Sequence, residues 1–176
     1  NWIDSKKIPT LISIGRMVPQ KDYKTLLKAF SLVRSRRKCR LIILGDGKQR
    51  VILENLAREL QIQDDVYMPG FVQNPFSYIE KANLFVHSSI WEGLPGVLIE
   101  ALACGTPIIS TNSPGGASEI LENGKYGTLV AAQNAIELAE AILTKLDKPT
   151  ESEKLIERAH FFSADRILEK YMKAFE

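Results

Sequence analysis

Short β-branched runs alternate with longer amphipathic ones along nearly the whole chain, and this alternation restricts the fold more than any other feature of the sequence. The runs PTLISIG (9–15), CRLIILGD (39–46), VYMPG (66–70), NLFVHSS (83–89), PIIST (107–111) and YGTLV (126–130) read as strands. Between them DYKTLLKAFSLVRSR (22–36) and KQRVILENLAREL (48–60) have helical spacing, with Leu26, Leu27, Phe30 and Val33 on one stripe. Shorter helices are predicted over 75–82, 95–104 and 115–122, and longer ones over 134–147 and 151–175. Strict βα alternation predicts an α/β fold, a doubly wound, Rossmann-like parallel sheet with helices on both faces. The 176 residues fit a single domain, 1–176, large enough to bury a substantial core.

Charge and cysteine usage exclude several function classes. The balance of 23 basic against 21 acidic residues gives no support to nucleic-acid binding. The one dense basic run, Arg34, Arg36, Arg37, Lys38 and Arg40, has no aromatic residue within it. It reads as the solvated end of a helix whose dipole favours cations there, with a weak membrane-surface patch as the alternative. Cys39 and Cys104 form neither a CxxC pair nor part of a His cluster, so no disulfide framework or zinc site is expected. Apolar runs fall short of the roughly 18 residues that span a bilayer, and NWIDSKKIP lacks signal-peptide character. The expectation is a cytoplasmic protein.

In a sheet of this kind ligands bind beyond the carboxyl ends of the strands, so the βα turns are where chemistry should lie. In IGRMVPQKD the first strand ends at Gly15, Arg16 follows, and Lys21 precedes Asp22, a good helix N-cap. A planar guanidinium and a point-charge ammonium together suit a diphosphate; two ordinary surface cations are the alternative. LGDGK (44–48) is a glycine-bracketed turn that matches neither the dinucleotide fingerprint nor the P-loop, and it reads as a tight turn without a ligand. In PGFVQNP (69–75), Phe71 and Val72 can give a nucleobase an apolar wall, or can simply pack in the core.

The fourth turn carries the most information. In SSIWEGLPGVLIEALACGTPIIST (88–111), Pro95 suits a first helical turn and leaves the amides of Gly96 and Val97 free to bind an anion. Glu92 precedes that turn, and Glu100 lies roughly 7–8 Å further along at 1.5 Å rise per residue. A diphosphate at the helix start would then have a carboxylate on each side, and a carboxylate can accept two hydrogen bonds from vicinal sugar hydroxyls. An exposed loop Glu and a dipole-favoured helix Glu are the alternative.

Taken together, GRMVPQKDYKTLLKAF, LIILGDGK, VYMPGFVQNP, WEGLPGVLIEALACGTPIIST and GGASEI resemble the C-terminal, donor-binding half of the GT-B glycosyltransferases in the retaining group 1 (GT4-like) family. The resemblance runs from about residue 8 to the end, and its E-x7-E signature falls on Glu92 and Glu100. It implies transfer of a hexosyl unit from a nucleotide-diphosphate sugar, with UDP the first choice, to a glycan or lipid-linked acceptor. Arg16 and Lys21 match the cations that hold the donor diphosphate and stabilise the leaving nucleotide, with Gly15 beside them. Glu92 matches the Glu that contacts the donor sugar, and Glu100 the one that binds the ribose. Gly93, Leu94, Gly96 and Val97 match the main-chain contacts to sugar and phosphates, and Phe71 and Val72 the base-recognition turn.

The chain departs from the family at Pro95, which has no N–H where Gly is common, and at Asp22, another common Gly position, where the change should affect capping more than chemistry. No D-x-D pattern is present, so the expectation is chemistry without a metal or other cofactor. The resemblance further implies an acceptor-binding N-terminal domain outside this sequence, making the chain an excised domain that binds donor weakly and transfers little alone. In that picture the helix over 151–175 reaches toward the partner domain, and the full-length enzyme can associate peripherally with the inner membrane's cytoplasmic face.

Two other classes share the periodicity. A non-catalytic nucleotide-binding module would not need the Arg–Lys and Glu–Glu pairs together, and a GT-B-like sugar-nucleotide epimerase would need acid/base residues not evident here. His87 and His160 read as structural, Cys104 as a packed small residue, and Gly115–Gly116 as a turn that either approaches a ligand or serves only the backbone.

Overall fold

A computed structural model describes residues 8–148 and 151–166, together with Leu168 and Met172. Six strands form one parallel sheet: β1 (Thr10–Ile14), β2 (Arg40–Leu44), β3 (Val66–Gly70), β4 (Leu84–His87), β5 (Ile108–Thr111) and β6 (Thr128–Val130). Their order is β3-β2-β1-β4-β5-β6, so the chain reverses its direction of winding between β1 and β4. The helices that connect and cover them include α1 (Tyr23–Arg36), α2 (Arg50–Glu59), α3 (Phe76–Ile79), α4 (Gly96–Ala103), α5 (Ala117–Ile120), α6 (Ala135–Leu146) and α7 (Ser152–His160).

The strands are apolar on both faces because both faces are covered. Leu11, Leu41, Ile43, Leu84, Val86 and Ile109 bury against α1, α2 and α6. Their alternate neighbours Ile12, Ile42, Leu44, Phe85 and Ile108 bury against α3, α4, α5 and α7. All eleven are at most 1% exposed, so the period-2 alternation divides the core into two layers.

The basic run at the end of α1 is not a free patch. Arg34 bonds Asp65 at 2.6 Å, Arg36 bonds Glu140 at 2.5 Å, and Arg37 pairs with Asp147. Two of these acids lie on or just after α6, so the run joins neighbouring elements instead of presenting a bare cationic surface. Among the described residues no helix is long and apolar enough to cross a membrane.

The long helix expected over 151–175 is interrupted. α7 ends at His160, and Phe161–Ser163 form a turn before helical backbone resumes at Ala164. The reason is a tertiary contact: the Arg158 guanidinium donates to the carbonyls of Ile120 (2.9 Å) and Glu119 (2.6 Å) and lies 4.8–5.4 Å from the rings of Tyr126, Phe161 and Phe162. This fixes the two phenylalanines beside α5. Most of the expected helix beyond Arg166, and the N-terminal stretch 1–7, lie outside the described residues.

Candidate functional site

The loops after β1 and β4 leave the sheet side by side at the point where winding reverses, the position where such sheets bind ligands. They are joined by backbone and side chain. The Ile90 amide donates to the Gln20 carbonyl (2.8 Å), Ser88 Oγ to the Lys21 carbonyl (2.7 Å), and Gln20 Nε2 to the Trp91 carbonyl (2.9 Å). The first loop ends in a 3-10 turn, Pro19–Lys21, after which Asp22 takes φ 45° and caps α1 by accepting from the Thr25 amide (3.3 Å). A left-handed backbone there explains why glycine suits this position; Asp is among the residues that tolerate it and adds the cap.

Lys21 and Glu92, expected to hold different parts of a ligand, form an ion pair with each other. Both side chains are largely buried, at 17% and 11% exposed. Glu92 Oε1 also accepts from Ser89 Oγ (2.7 Å) and from His87 Nε2 (3.3 Å). Among the described residues, Glu92 Oε2 has only a long contact with Gln20 Nε2, at 3.5 Å. Burial by itself would raise the Glu92 carboxyl, but hydrogen bonds from His87, Lys21 and Ser89 outweigh it and hold it down at about 2. Glu92 is therefore an anion at neutral pH with one saturated oxygen and one nearly free.

His87 is 3% exposed at the end of β4. The parallel register sets it opposite Ser110 on β5, and Nδ1 lies 2.9 Å from Ser110 Oγ. Burial is the main cause of its lowered pKa, with Glu92 pulling the other way. The serine beside His87 is 23 residues away in the sequence and is supplied by strand pairing. His160 is exposed on α7, away from these loops.

Arg16 is exposed just beyond β1 and has no ion-pair partner among the described residues, so its guanidinium is available. α4 begins as expected: Pro95 is its N-cap, and Leu98 donates to the Pro95 carbonyl at 2.9 Å. The amides of Gly96 and Val97 precede that bond and make no backbone hydrogen bond outside the helix. Glu100 is half-buried on α4, where burial raises its pKa and no donor or cation among the described residues meets its carboxylate. Phe71 is 85% exposed, which removes core packing as its explanation, whereas Val72 packs against the second core layer.

The glycine turns prove to be matters of close packing. A Cβ on Gly45 (φ 126°) would lie 2.1 Å from the Gly15 carbonyl oxygen, so the turn after β2 is pressed against the turn that carries Arg16. A Cβ on Gly115 (φ 119°) would lie 1.9 Å from the Glu92 carbonyl oxygen. There the Glu92 amide donates to the Pro114 carbonyl (3.0 Å) and the Gly116 amide to Gly93 (2.7 Å). Gly115–Gly116 thus serve the backbone, by supporting the loop that holds Glu92. Cys104 caps α4 and packs against the second core layer. A concavity of about 560 Å³ between α7 and the amino ends of β5 and β6 lies at the opposite end of the sheet, and its Lys125 and Lys154 are paired with Glu122 and Glu151.

Comparison with known proteins bears on the family and the fold. The family model described as glycosyl transferases group 1 matches residues 3–160. An uncharacterized glycosyltransferase of Methanocaldococcus jannaschii is 43% identical over 111 residues, 62% of this chain and 27% of that protein. The N-acetylgalactosamine-N,N'-diacetylbacillosaminyl-diphospho-undecaprenol 4-alpha-N-acetylgalactosaminyltransferase of Campylobacter jejuni is 32% identical over 137 residues, 78% of this chain and 37% of that protein. The chain therefore spans roughly a quarter to a third of these relatives. Among solved structures, a mutant of S. aureus TarM in complex with fondaparinux, alpha-GlcNAc-glycerol and UDP has a TM-score of 0.87 at 24% identity, over 97% of this chain and 36% of that one. Anabaena HepE in complex with UDP and glucose has a TM-score of 0.80 at 23% identity, over 93% of this chain and 45% of that one.

Proposed function

Because the chain belongs to the group 1 family of glycosyl transferases, we propose that it is the donor-binding half of a retaining enzyme that moves a hexosyl unit from a UDP-sugar to a glycan or lipid-linked acceptor. The observation that carries this reading is the convergence, at the β1/β4 reversal, of Arg16, Lys21, Glu92 and the first amides of α4. UDP as donor nucleotide draws support from its presence in the TarM and HepE complexes, and a lipid-linked acceptor from the name of the C. jejuni relative. The acceptor site belongs, in this reading, to an N-terminal domain facing these loops, and the domain alone transfers little.

The roles follow from charge and exposure. Arg16, exposed and without an ion-pair partner among the described residues, takes the diphosphate as a bidentate partner, while the Gly96 and Val97 amides receive its oxygens at a helix start. Charge that develops on the leaving nucleotide falls to Arg16, Lys21 and these amides, with no metal required. Glu92 acts as a permanent anion. A carboxyl held at about 2 has no proton to give at neutral pH, so its part is to accept sugar hydroxyls through Oε2 and to favour positive charge on the sugar ring. Glu100, half-buried without a partner, offers both oxygens to a ribose diol. Phe71 offers an exposed apolar face to the base, and by family resemblance the main chain of Gly15, Gly93 and Leu94 contributes to donor binding.

Calorimetric titration with UDP, GDP and ADP tests the reading, repeated with Arg16→Ala and Glu100→Ala. Each lost charge-assisted contact should weaken binding by about tenfold to a hundredfold. Absence of binding by all three nucleotides, or indifference to both substitutions, would refute it.

A further inference from the structure

His87 is the group that the proposed chemistry leaves unused, although it is buried within reach of the carboxylate at the centre of the site. We propose that His87 is a positioning residue for Glu92: a neutral imidazole, protonated on Nε2 and held in that tautomer by the Ser110 hydroxyl, turns Glu92 so that Oε2 faces the donor sugar. The inference rests on the assignment of Glu92 to the sugar.

The proton count supports it. Glu92 Oε1 can only accept, so the nitrogen 3.3 Å away must carry hydrogen to make a favourable contact. Nδ1 is then an acceptor for the Ser110 hydroxyl at 2.9 Å. Ser110 Oγ also reaches the Thr111 carbonyl at 3.0 Å, so its single proton is contested; Nδ1, nearer and with no other hydrogen-bond partner among the described residues, is the acceptor that needs it. The charged groups that face His87 are Glu92, which favours a second ring proton, and Lys21, which opposes it. Burial decides for the neutral form. The Tyr23 hydroxyl, itself buried and pushed up by that burial, stays neutral beside Glu92.

The geometry around the carboxylate gives the interaction its purpose. Lys21, Ser89 and His87 approach from three elements and all reach the same oxygen, Oε1. Lys21 is long and flexible and would be drawn toward a bound diphosphate, and Ser89 is a single hydroxyl in the loop that carries Glu92. His87 is the rigid member, since its backbone is held by β4–β5 pairing and its ring by Ser110. Once Lys21 moves toward phosphate, His87 and Ser89 are what keep Oε1 inward and Oε2 outward.

Two measurements test this. In the ligand-free chain at neutral pH, long-range proton–nitrogen NMR should show a neutral His87 ring with its proton on Nε2, and Glu92→Gln should shift that signal. A proton on Nδ1, a doubly protonated ring, or no response to Glu92→Gln would overturn the proposal without reference to any ligand. Binding of UDP and of UDP-glucose would then be compared for the wild type, His87→Leu, His87→Gln and Ser110→Ala. His87→Leu should weaken UDP-glucose about tenfold while UDP changes less than about twofold. His87→Gln, which keeps a donor near the Nε2 position, should recover most of the loss, and it keeps the test usable should the Leu variant fail to fold. Equal losses for UDP and UDP-glucose, or no rescue by Gln, would make His87 merely structural. Failure of the wild type to bind UDP would instead strike the proposed function and leave the NMR result standing.

Discussion

The ion pair at the centre of the site makes a quantitative claim about stability. Glu92 is held at about 2 from an ordinary value of 4.5, which corresponds to about 3.4 kcal/mol between the two protonation states. Solvent still reaches the site through its open side, so screening reduces this to about 2 kcal/mol. The sign follows from the depressed pKa. In the unfolded chain Glu92 takes up a proton near its ordinary value, while in the folded chain it does not until pH approaches 2. The stabilisation is therefore complete above about pH 5 and disappears as pH falls toward 2, with more than half gone by about pH 3. Glu92→Gln removes the titrating group and keeps the shape. Urea denaturation of wild type and variant at pH 7 and pH 3 should give a difference of about 2 kcal/mol at the higher pH and under about 1 kcal/mol at the lower. A difference that stays the same at both pH values would mean that Lys21, Ser89 and His87 do not stabilise the charge of Glu92, and the electrostatic account of the site would be wrong.

Gly45→Ala places a methyl 2.1 Å from the Gly15 carbonyl oxygen and should cost at least about 2 kcal/mol, whereas Gly93→Ala, with nothing within 4 Å, should stay within about 0.5 kcal/mol; thermal denaturation separates the two. Phe71→Ala removes an 85% exposed ring and should leave stability unchanged, yet weaken nucleotide binding by a few-fold to about tenfold in a calorimetric titration if the ring stacks on the base. Arg158→Ala removes two hydrogen bonds to the end of α5 and the cation over three rings, and should lower the melting temperature by roughly 4–8 °C, measured by circular dichroism.

The sheet was legible in the sequence because each of its six strands is a short apolar run that ends in a turn signal, and because α/β alternation leaves few topologies open. The positions of Arg16, Glu92, Glu100 and the start of α4 were legible because they lie within a few residues of strand ends. What escaped was every interaction between loops. Lys21 and Glu92 are 71 residues apart, His87 and Ser110 are 23 apart, and no local pattern announces that register will bring them together. The roles of Gly45 and Gly115 were hidden for the same reason, since each is required by a backbone from another turn. The long helix expected over 151–175 was a different kind of miss. Its spacing is helical, but Arg158 and the rings of Tyr126, Phe161 and Phe162 form a contact that local periodicity cannot register.

The turns at the carboxyl edge are sewn to one another. Met17 donates to Asp46, Gln49 to Met17, Gly45 to Gly70, Ile90 to Gln20, and Glu92 to Pro114, each across 2.8–3.0 Å. The chain beyond the carboxyl ends of β1 to β5 is thus linked through its main chain, which leaves this rim little freedom to bend around a substrate. Such a surface works as an anvil. Slow amide exchange at Met17, Gly45, Gln49, Ile90 and Glu92, even with the site empty, would be the mark of a rim that is set before its ligand arrives.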